Sequence, residues 1–325
     1  MSGAGRARFE ITILLYPDQP TQSAIGLPKA VRSLQDGTVS KIPEGMGDGQ
    51  ALYVVARRVL LDALVALHDQ DDAITIVGAQ AIYLRSVDLD LSVAAYTSDA
   101  DLGLDPQHLV DEPRLQQAMT NAGFVRASAD LAGSWSREER VGDHVVKIPV
   151  DLLVPEGLSE GGRRSVQIPP HDKMSARRVP GLEAAVVDND VMAVTSLEPG
   201  VDTRVIMASV AGPAALLVAK AYKIRDRVEK PGKSRLTDKD AGDVVRLMMI
   251  DEGPLEIAKR FHKLLVDDRT SEVVQTGLGY LDDLFGARAT MGTEMAVAAL
   301  AGGLDERTIR ALAPSYVAAL LQALN

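Results

Sequence analysis

The chain has 325 residues, of which 46% are hydrophobic and 25% charged, and its formal net charge is −10 at pH 7. No apolar run approaches the roughly 20 residues of a membrane span, so we expect a soluble protein in the cytoplasm with no membrane partner. The absence of cysteine excludes disulfides and cysteine-ligated metals, and the five histidines are too scattered to suggest a zinc site. The acidic balance argues against general duplex binding, which requires Lys and Arg to neutralise phosphates.

Composition divides the chain into three parts. Residues 1–48 are rich in Gly, Pro, Ser and Gln and are interpreted as an N-terminal extension. Residues 49–212 mix short β-branched runs with helical patterns, which predicts an α/β domain built on a small mixed sheet. Residues 213–325 are mainly helical in pattern and predict a helical domain, with the functional site in the cleft between the two.

The α/β part opens with a helix, a strand and a glycine turn. A helix is predicted from Gln50, because apolar residues recur at helical spacing. Residues 74–77 form a β-branched run typical of a buried strand, and Gly78 separates it from a short helical pattern at 80–85. A strand, a glycine turn and a helix start together allow backbone N–H groups to contact a phosphate.

The next elements are predicted from alternation and from helix signals. Residues 99–104 alternate as a strand and are followed by a helix with Asp111 as cap, Pro113 in its first turn and Gly123 past its end. Further strands are predicted at 145–154, 184–187, 191–195 and 203–207, and helices at 213–229, 238–250, 255–266 and 316–324.

Three aspartates are the candidate metal ligands. Asp99 and Asp101 are two residues apart in a predicted strand, so their carboxylates project to the same face, and Asp151 stands within an apolar strand. Like charges in such places repel unless a cation joins them. Together they could hold Mg²⁺, and two metals about 4 Å apart would activate an attacking hydroxyl and stabilise a leaving pyrophosphate. The alternatives are a solvated strand end for the pair and a salt bridge to a nearby arginine for Asp151.

A basic segment follows in the helical part. Residues 213–240 contain eight basic and four acidic residues. Lys220, Lys223 and Arg227 fall on one face of the first helix, where they would meet a triphosphate or an RNA backbone. The alternative is an ordinary solvated helix face.

These residues resemble a known family, the nucleotidyltransferases of the DNA polymerase β superfamily, and within it the toxins of the AbiEii and MenT type. The resemblance covers roughly residues 70 to 250. The motifs that carry it are Gly78-Ala79, the segment from Thr97 to Leu102, the strand aspartate Asp151, a helix with Lys220 and Arg225, and the segment Lys239-Asp240-Ala241-Gly242-Asp243.

The resemblance implies a Mg²⁺-dependent transfer of a nucleoside monophosphate from an NTP to an acceptor. The acceptor would be a tRNA 3′ end in a growth-inhibiting toxin with an antitoxin partner. The implied metal ligands are Asp99, Asp101 and Asp151, and Lys220 and Asp240 complete the catalytic set. The implied nucleotide-binding residues are Gly78, Ala79, Thr97, Ser98, Lys220, Lys223, Arg225 and Lys239.

The chain departs from the family in two places, and several alternatives stay open. The family has Gly-Gly or Gly-Ser where this chain has Gly78-Ala79, and its glycine turn lies closer to the metal pair than Gly78 does to Asp99. Asp88 and Asp90 would suit the shorter gap and are the alternative pair. Asp240 could instead belong to a capping box with Thr237. The alternative functions are transfer to a small molecule and a non-catalytic nucleotide-binding module.

Overall fold

The computed structural model describes residues 48–87, 89, 97–141, 144–161, 165–229 and 238–325. In these residues the chain is a mixed α/β protein, with one open sheet followed in sequence by a group of helices. The helices are α1 Asp48–Ala66, α2 Gly78–Arg85, α3 Leu115–Asn121, α4 Pro213–Glu229, α5 Lys239–Met248, α6 Pro254–Val266, α7 Ser271–Phe285, α8 Met291–Ala299 and α9 Glu306–Leu324. The strands are β1 Ile74–Val77, β2 Ala100–Leu104, β3 Val125–Arg126, β4 Ser134–Val141, β5 His144–Pro155, β6 Arg177–Val179, β7 Asn189–Thr195 and β8 Val205–Ala211.

The sheet is mixed, with the strand order β3-β4-β5-β2-β1-β8-β7, and β6 pairs with β5. Strand β2 runs antiparallel to β1 and parallel to β5, so it lies inside the sheet between two apolar strands. Leu153 of β5 pairs with Gly103 on one edge and with Arg177 on the other. Strands β2, β5 and β6 are therefore consecutive neighbours at this level of the sheet.

The helices after β8 pack against one another and against the α/β part. Helix α4 contacts α5 and α7, while α5 contacts α8. The short helix α2, which follows β1 directly, contacts both α4 and α5. The elements that carry the sequence-predicted lysines and aspartates are thus brought together around α2.

Asp188 fixes the start of α4 against the sheet. Its Oδ2 accepts a hydrogen bond from the backbone N–H of Ala215 at 2.9 Å, and its Oδ1 accepts one from Arg260 at 2.9 Å. A Cβ at Gly212 would lie 2.1 Å from Oδ1 of Asp188, so only glycine permits this approach. The carboxylate therefore satisfies a free N–H at the first turn of the helix and favours its dipole.

Several elements differ from the sequence-based predictions. The sheet has eight strands and is not small. Residues 184–187 were predicted as a strand, but 184–186 lie in a 3₁₀ helix at Glu183–Val186 and Val187 follows it, and buried alanines without β-branching tolerate the tight turn. The helix expected after Asp111 begins at Leu115 with Arg114 as its N-cap, so Pro113 precedes it.

The last helix begins at Glu306, ten residues before the predicted start. Pro314 stands inside it, which explains why sequence patterning placed the start too late. Among the residues described, no helix is long and apolar enough to cross a membrane.

Candidate functional site

Two of the predicted carboxylates stand side by side on neighbouring strands. Asp101 of β2 is paired in register with Asp151 of β5, so both side chains project to the same face of the sheet. Asp99 lies two residues before Asp101 and is half-buried. The sequence prediction that these three aspartates come together is consistent with this placement.

Gly78 brings the start of α2 against this group. Its φ is +68°, a conformation that favours glycine, and a Cβ there would lie 2.1 Å from Oδ2 of Asp101. The backbone of the strand-to-helix turn can therefore approach the carboxylate only because position 78 has no side chain. Ala79, the next residue, is buried.

Burial and neighbouring carboxylates both disfavour the ionised form of Asp101. Burial and then the nearby charge of Asp99 raise the pKa of the Asp101 carboxyl to about 7, with a smaller contribution from Asp151. Lys223 and Lys220 act in the opposite direction. A cation bound at this place would relieve the repulsion and favour the ionised form.

Thr97 and Ser98 lead into β2. The Thr97 side chain is fully buried, and its hydroxyl donates a hydrogen bond to Oδ1 of Asp99. Thr97 thus orients the first aspartate of the pair. Ser98 is half-buried next to it.

Asp151 is held by an arginine that the sequence reasoning left unidentified. Nη2 of Arg177 donates to Oδ2 of Asp151 at 2.6 Å. Among the described residues, Oδ1 of Asp151 is buried and has no hydrogen-bond partner. The salt-bridge alternative for Asp151 is therefore correct for one of its two oxygens. The pairing of Arg177 with Leu153 could not be read from the sequence, because β6 has only three residues.

Lys220 is the centre of a buried ion network that connects α4 to α5. The residue is 4% exposed, and its Nζ donates to Oδ1 of Asp240 at 2.6 Å and to Oδ2 of Asp243 at 2.7 Å. Burial alone would lower the pKa of Lys220, but the two carboxylates outweigh it and raise the pKa above its ordinary value. Lys220 was predicted to contact the triphosphate, whereas the structure places its ammonium between two aspartates.

Asp240 forms ion pairs with the basic side chains that were predicted on one face of α4. Besides Lys220 it accepts from Arg227, and Nζ of Lys223 lies 3.2 Å from its Oδ1. Burial would raise the pKa of Asp240, but Lys220, Lys223 and Arg227 together hold it well below its usual range. Asp240 is thus an ion-pair residue in this structure, and Thr237 lies outside the described residues.

Asp243 belongs to the same network, although the sequence reasoning gave it no role. It follows Asp240 by three residues on α5, so both side chains share one face of the helix. The three-residue spacing of the two aspartates is the feature of the sequence from which a role for Asp243 could have been predicted.

Lys239 lies at the start of α5, where the network approaches the strand carboxylates. Burial lowers the pKa of Lys239, while the charges of Asp243 and Asp99 oppose that effect. Since the charge of Asp99 acts on Lys239, and the charges of Lys223 and Lys220 act on Asp101, cations and carboxylates from the two parts of the chain are close enough to interact.

Arg225 was predicted to bind nucleotide, but the structure places it elsewhere. Its Nε donates to Glu229 at 2.6 Å, its Nη1 to Asp283 at 3.4 Å, and its guanidinium lies over the ring of Tyr280. These partners are on α4 and α7, because Arg225 is on a different face of α4 from Lys220 and Lys223. The alternative metal pair, Asp88 and Asp90, lies outside the described residues.

The chemistry of these side chains fits Mg²⁺, which prefers oxygen ligands and commonly combines one or two carboxylates with substrate phosphates. Asp99 and Asp101 offer such a pair, and repulsion between two carboxylates so close together favours a cation there. Within the described part of the chain, no group of three or more histidine or acidic side chains is arranged to hold a metal ion. A cation at Asp99 and Asp101 would therefore need further oxygens from a bound ligand.

Comparison with known proteins does not assign this chain to a family. A scan against models of known protein families finds no match, and a search of curated proteins finds no similar sequence. The function is therefore inferred from the geometry and charge of the site.

Proposed function

We propose that the protein is a Mg²⁺-dependent nucleotidyltransferase that moves a nucleoside monophosphate from an NTP to an acceptor hydroxyl. What supports this most is that acidic and basic side chains from the two parts of the chain are close enough for their charges to interact. The charge of Lys223 acts to lower the pKa of Asp101, and the charge of Asp99 acts to raise the pKa of Lys239. A metal-bound triphosphate needs both kinds of group, because carboxylates bind its metal ion and basic side chains bind its phosphates.

In this reaction the acceptor oxygen forms a bond to the α-phosphorus, the bond from that phosphorus to the bridging oxygen breaks, and pyrophosphate leaves. Asp99 and Asp101 would hold Mg²⁺, which when bound supplies positive charge to the phosphates. Thr97 orients Asp99, and the turn at Gly78 offers backbone N–H groups to a phosphate. Catalysis of this kind depends mainly on positioning and charge neutralisation.

The basic residues divide into two roles. The Lys223 side chain is 44% exposed and can exchange Asp240 for a phosphate, so we assign it to the triphosphate together with Lys239. Lys220 is fully engaged by Asp240 and Asp243, so it positions α4 and α5 and sets the spacing of the other cations.

The acceptor is proposed to be a tRNA 3′ end, as the resemblance implies, with an antitoxin as protein partner. A small-molecule acceptor is the second candidate, because the net charge of −10 disfavours long contacts with a nucleic acid. The number of bound metals, predicted as two, stays a prediction.

The test is to incubate the protein with Mg²⁺, each α-labelled NTP in turn and total tRNA, and to resolve the products on a denaturing gel. The proposal expects label on RNA with the wild-type protein and none with Asp99→Ala/Asp101→Ala. Label on RNA with both proteins would indicate that Asp88 and Asp90 are the metal-binding pair. No label with any NTP would reject tRNA, and a panel of hydroxylated small molecules would then test the second candidate.

A further inference from the structure

A buried arginine of α1 has no acidic partner among the described residues. Arg57 is 3% exposed, and its hydrogen bonds within the described part of the chain all go to neutral acceptors. Its Nε donates to Oε1 of Gln80 at 3.0 Å, its Nη1 to the carbonyl oxygen of Thr195 at 3.3 Å, and its Nη2 to the hydroxyl of Tyr53 at 3.0 Å. The guanidinium therefore joins α1 to α2 and to the end of β7, and these contacts leave its charge uncompensated.

Such a buried charge is unfavourable unless an opposite charge accompanies it. Removing a charge from water costs more free energy than neutral hydrogen bonds return, and a guanidinium does not give up its proton in proteins. Burial lowers the pKa of Arg57, and the phenol of Tyr53 opposes that effect. Burial also raises the pKa of the Tyr53 phenol, so that group is uncharged at neutral pH. A counter-charge for Arg57 is thus expected from a ligand.

The amide of Gln80 is a second, independent indication of a ligand. Gln80 is 1% exposed, and its Nε2 finds no acceptor among the described residues. Arginine carries donors only, so the amide atom that meets Nε of Arg57 is the oxygen, and the remaining atom is the nitrogen. A buried donor without an acceptor is unfavourable. Gln80 therefore presents an unused donor beside the same guanidinium that has no counter-charge.

Tyr53 adds a third donor. Its hydroxyl oxygen accepts from Nη2 of Arg57, which leaves the hydroxyl hydrogen to donate to another acceptor. We call Tyr53, Arg57 and Gln80 the donor cluster. Tyr53 and Thr195 are half-buried, whereas Arg57 and Gln80 are buried, so the cluster lies just beneath the surface. A guanidinium, an amide N–H₂ and a phenol O–H all favour an acceptor, and the guanidinium favours a negatively charged one.

The single positive charge of the cluster decides which anion fits. A water molecule would accept from these donors but would leave the guanidinium without a counter-charge. A divalent anion such as sulfate would leave a net negative charge among buried groups, and its removal from water costs more. A monovalent anion balances Arg57 and accepts from several donors at once.

We propose that Tyr53, Arg57 and Gln80 form a binding site for a small monovalent anion, with chloride as its simplest occupant. The site goes beyond the proposed function, because none of these three residues is assigned to the metal, the nucleotide or the acceptor. By neutralising Arg57 the anion holds α1 against α2 and the end of β7. Its binding therefore stabilises the folded protein.

The test measures chloride binding directly, from the broadening of the chloride NMR signal when the protein is added to chloride in HEPES buffer. The wild type should give an excess broadening, and Arg57→Met should reduce it at least about 5-fold, because the charge that holds the anion is removed. The matched control is Arg58→Met, at the next position of α1. Arg58 pairs with Glu139 and Glu198, so the broadening should stay within about 20% of wild type.

Gln80→Glu tests the same site with Arg57 intact. The new carboxylate would lie beside Nε of Arg57 and supply the counter-charge from within the chain, so the excess broadening should disappear. The melting temperature of the wild type should rise by roughly 2–4 °C when chloride exceeds its Kd tenfold, relative to sulfate at equal ionic strength. Gln80→Glu should melt above the wild type without chloride and should lack this rise, and circular dichroism checks the fold of each variant.

Equal broadening with the wild type and with both Arg57→Met and Gln80→Glu would overturn the inference, and so would a wild type that causes no excess broadening. Stronger stabilisation by sulfate than by chloride at equal ionic strength, lost in Arg57→Met, would refute the assignment to a monovalent anion. None of these measurements involves a nucleotide, so failure of nucleotide transfer would reject the proposed function and leave the anion site to be decided separately.

Discussion

Replacement of Lys220 by methionine should destabilise the protein strongly, because it removes an ammonium that two buried carboxylates share. The side chains of Lys220, Asp240 and Asp243 are at most 5% exposed, and the hydrogen bonds are 2.6 and 2.7 Å long. Removing one partner of a buried ion pair costs about 3–5 kcal/mol, since the other charge is left buried. Asp240 keeps Lys223 and Arg227, so we expect the lower end of that range, about 3 kcal/mol.

The assay is urea unfolding followed by circular dichroism, with Lys223→Met as the matched control on the same helix. Lys223 is 44% exposed, and its pairing with Asp240 should contribute no more than about 1 kcal/mol. The double variant Lys220→Met/Asp243→Asn should recover part of the loss, because the uncompensated charge is removed.

The pH dependence gives a second check. The folded-state pKa of Asp240 lies below its unfolded value, so its contribution is present above the unfolded pKa and disappears as the pH falls through the folded one. The difference between wild type and Lys220→Met should therefore narrow in acid. Equal urea midpoints for Lys220→Met and Lys223→Met at neutral pH would refute the assignment of Lys220 as the centre of the network.

Three further predictions concern the strand carboxylates and the surface of α4. Gly78→Ala should abolish transfer and cost at least about 1 kcal/mol in urea unfolding, because the new Cβ would meet Asp101 and the φ is +68°; full transfer by this variant would contradict the packing. In EDTA, Asp101→Asn should be more stable than wild type near pH 8 but not near pH 5. The native Asp101 binds its proton more tightly than the unfolded chain does, so wild-type stability falls as the pH rises from about 4 towards 7, by up to about 4 kcal/mol; parallel stability curves for the two proteins would reject this. Arg225→Ala should leave nucleotide transfer unchanged while Lys223→Met raises the KM for the NTP, and equal effects in steady-state kinetics would return Arg225 to the site.

Local patterns predicted the elements that define the site. The β-branched run at Ile74–Val77, the alternation before Pro106 and the long apolar run around Asp151 each correspond to an observed strand. Helix α4 has the predicted bounds, since Pro213 opens it and the apolar positions that follow have helical spacing. These signals depend on neighbours in sequence, which is why they could be read without the fold.

Features that depend on contacts between residues far apart in the sequence could not be predicted. The partner of Asp151 is on a three-residue strand that is placed only by its register with β5. The faces of α4 were predicted correctly as a cationic stripe, but the sequence could not show that the stripe meets Asp240 and Asp243. Lys220, which was predicted to bind phosphate, is instead an ion-pair residue that connects α4 to α5.

The most direct test of the central claim compares two labelled forms of the same NTP. The nucleotide that supports transfer is supplied with label at either the α- or the γ-phosphate, together with Mg²⁺ and the acceptor. Nucleotidyl transfer predicts that the acceptor gains the α label and that the γ label appears in pyrophosphate, with both products absent in Asp99→Ala/Asp101→Ala. Appearance of the γ label on the acceptor, or as inorganic phosphate without acceptor labelling, would contradict the account.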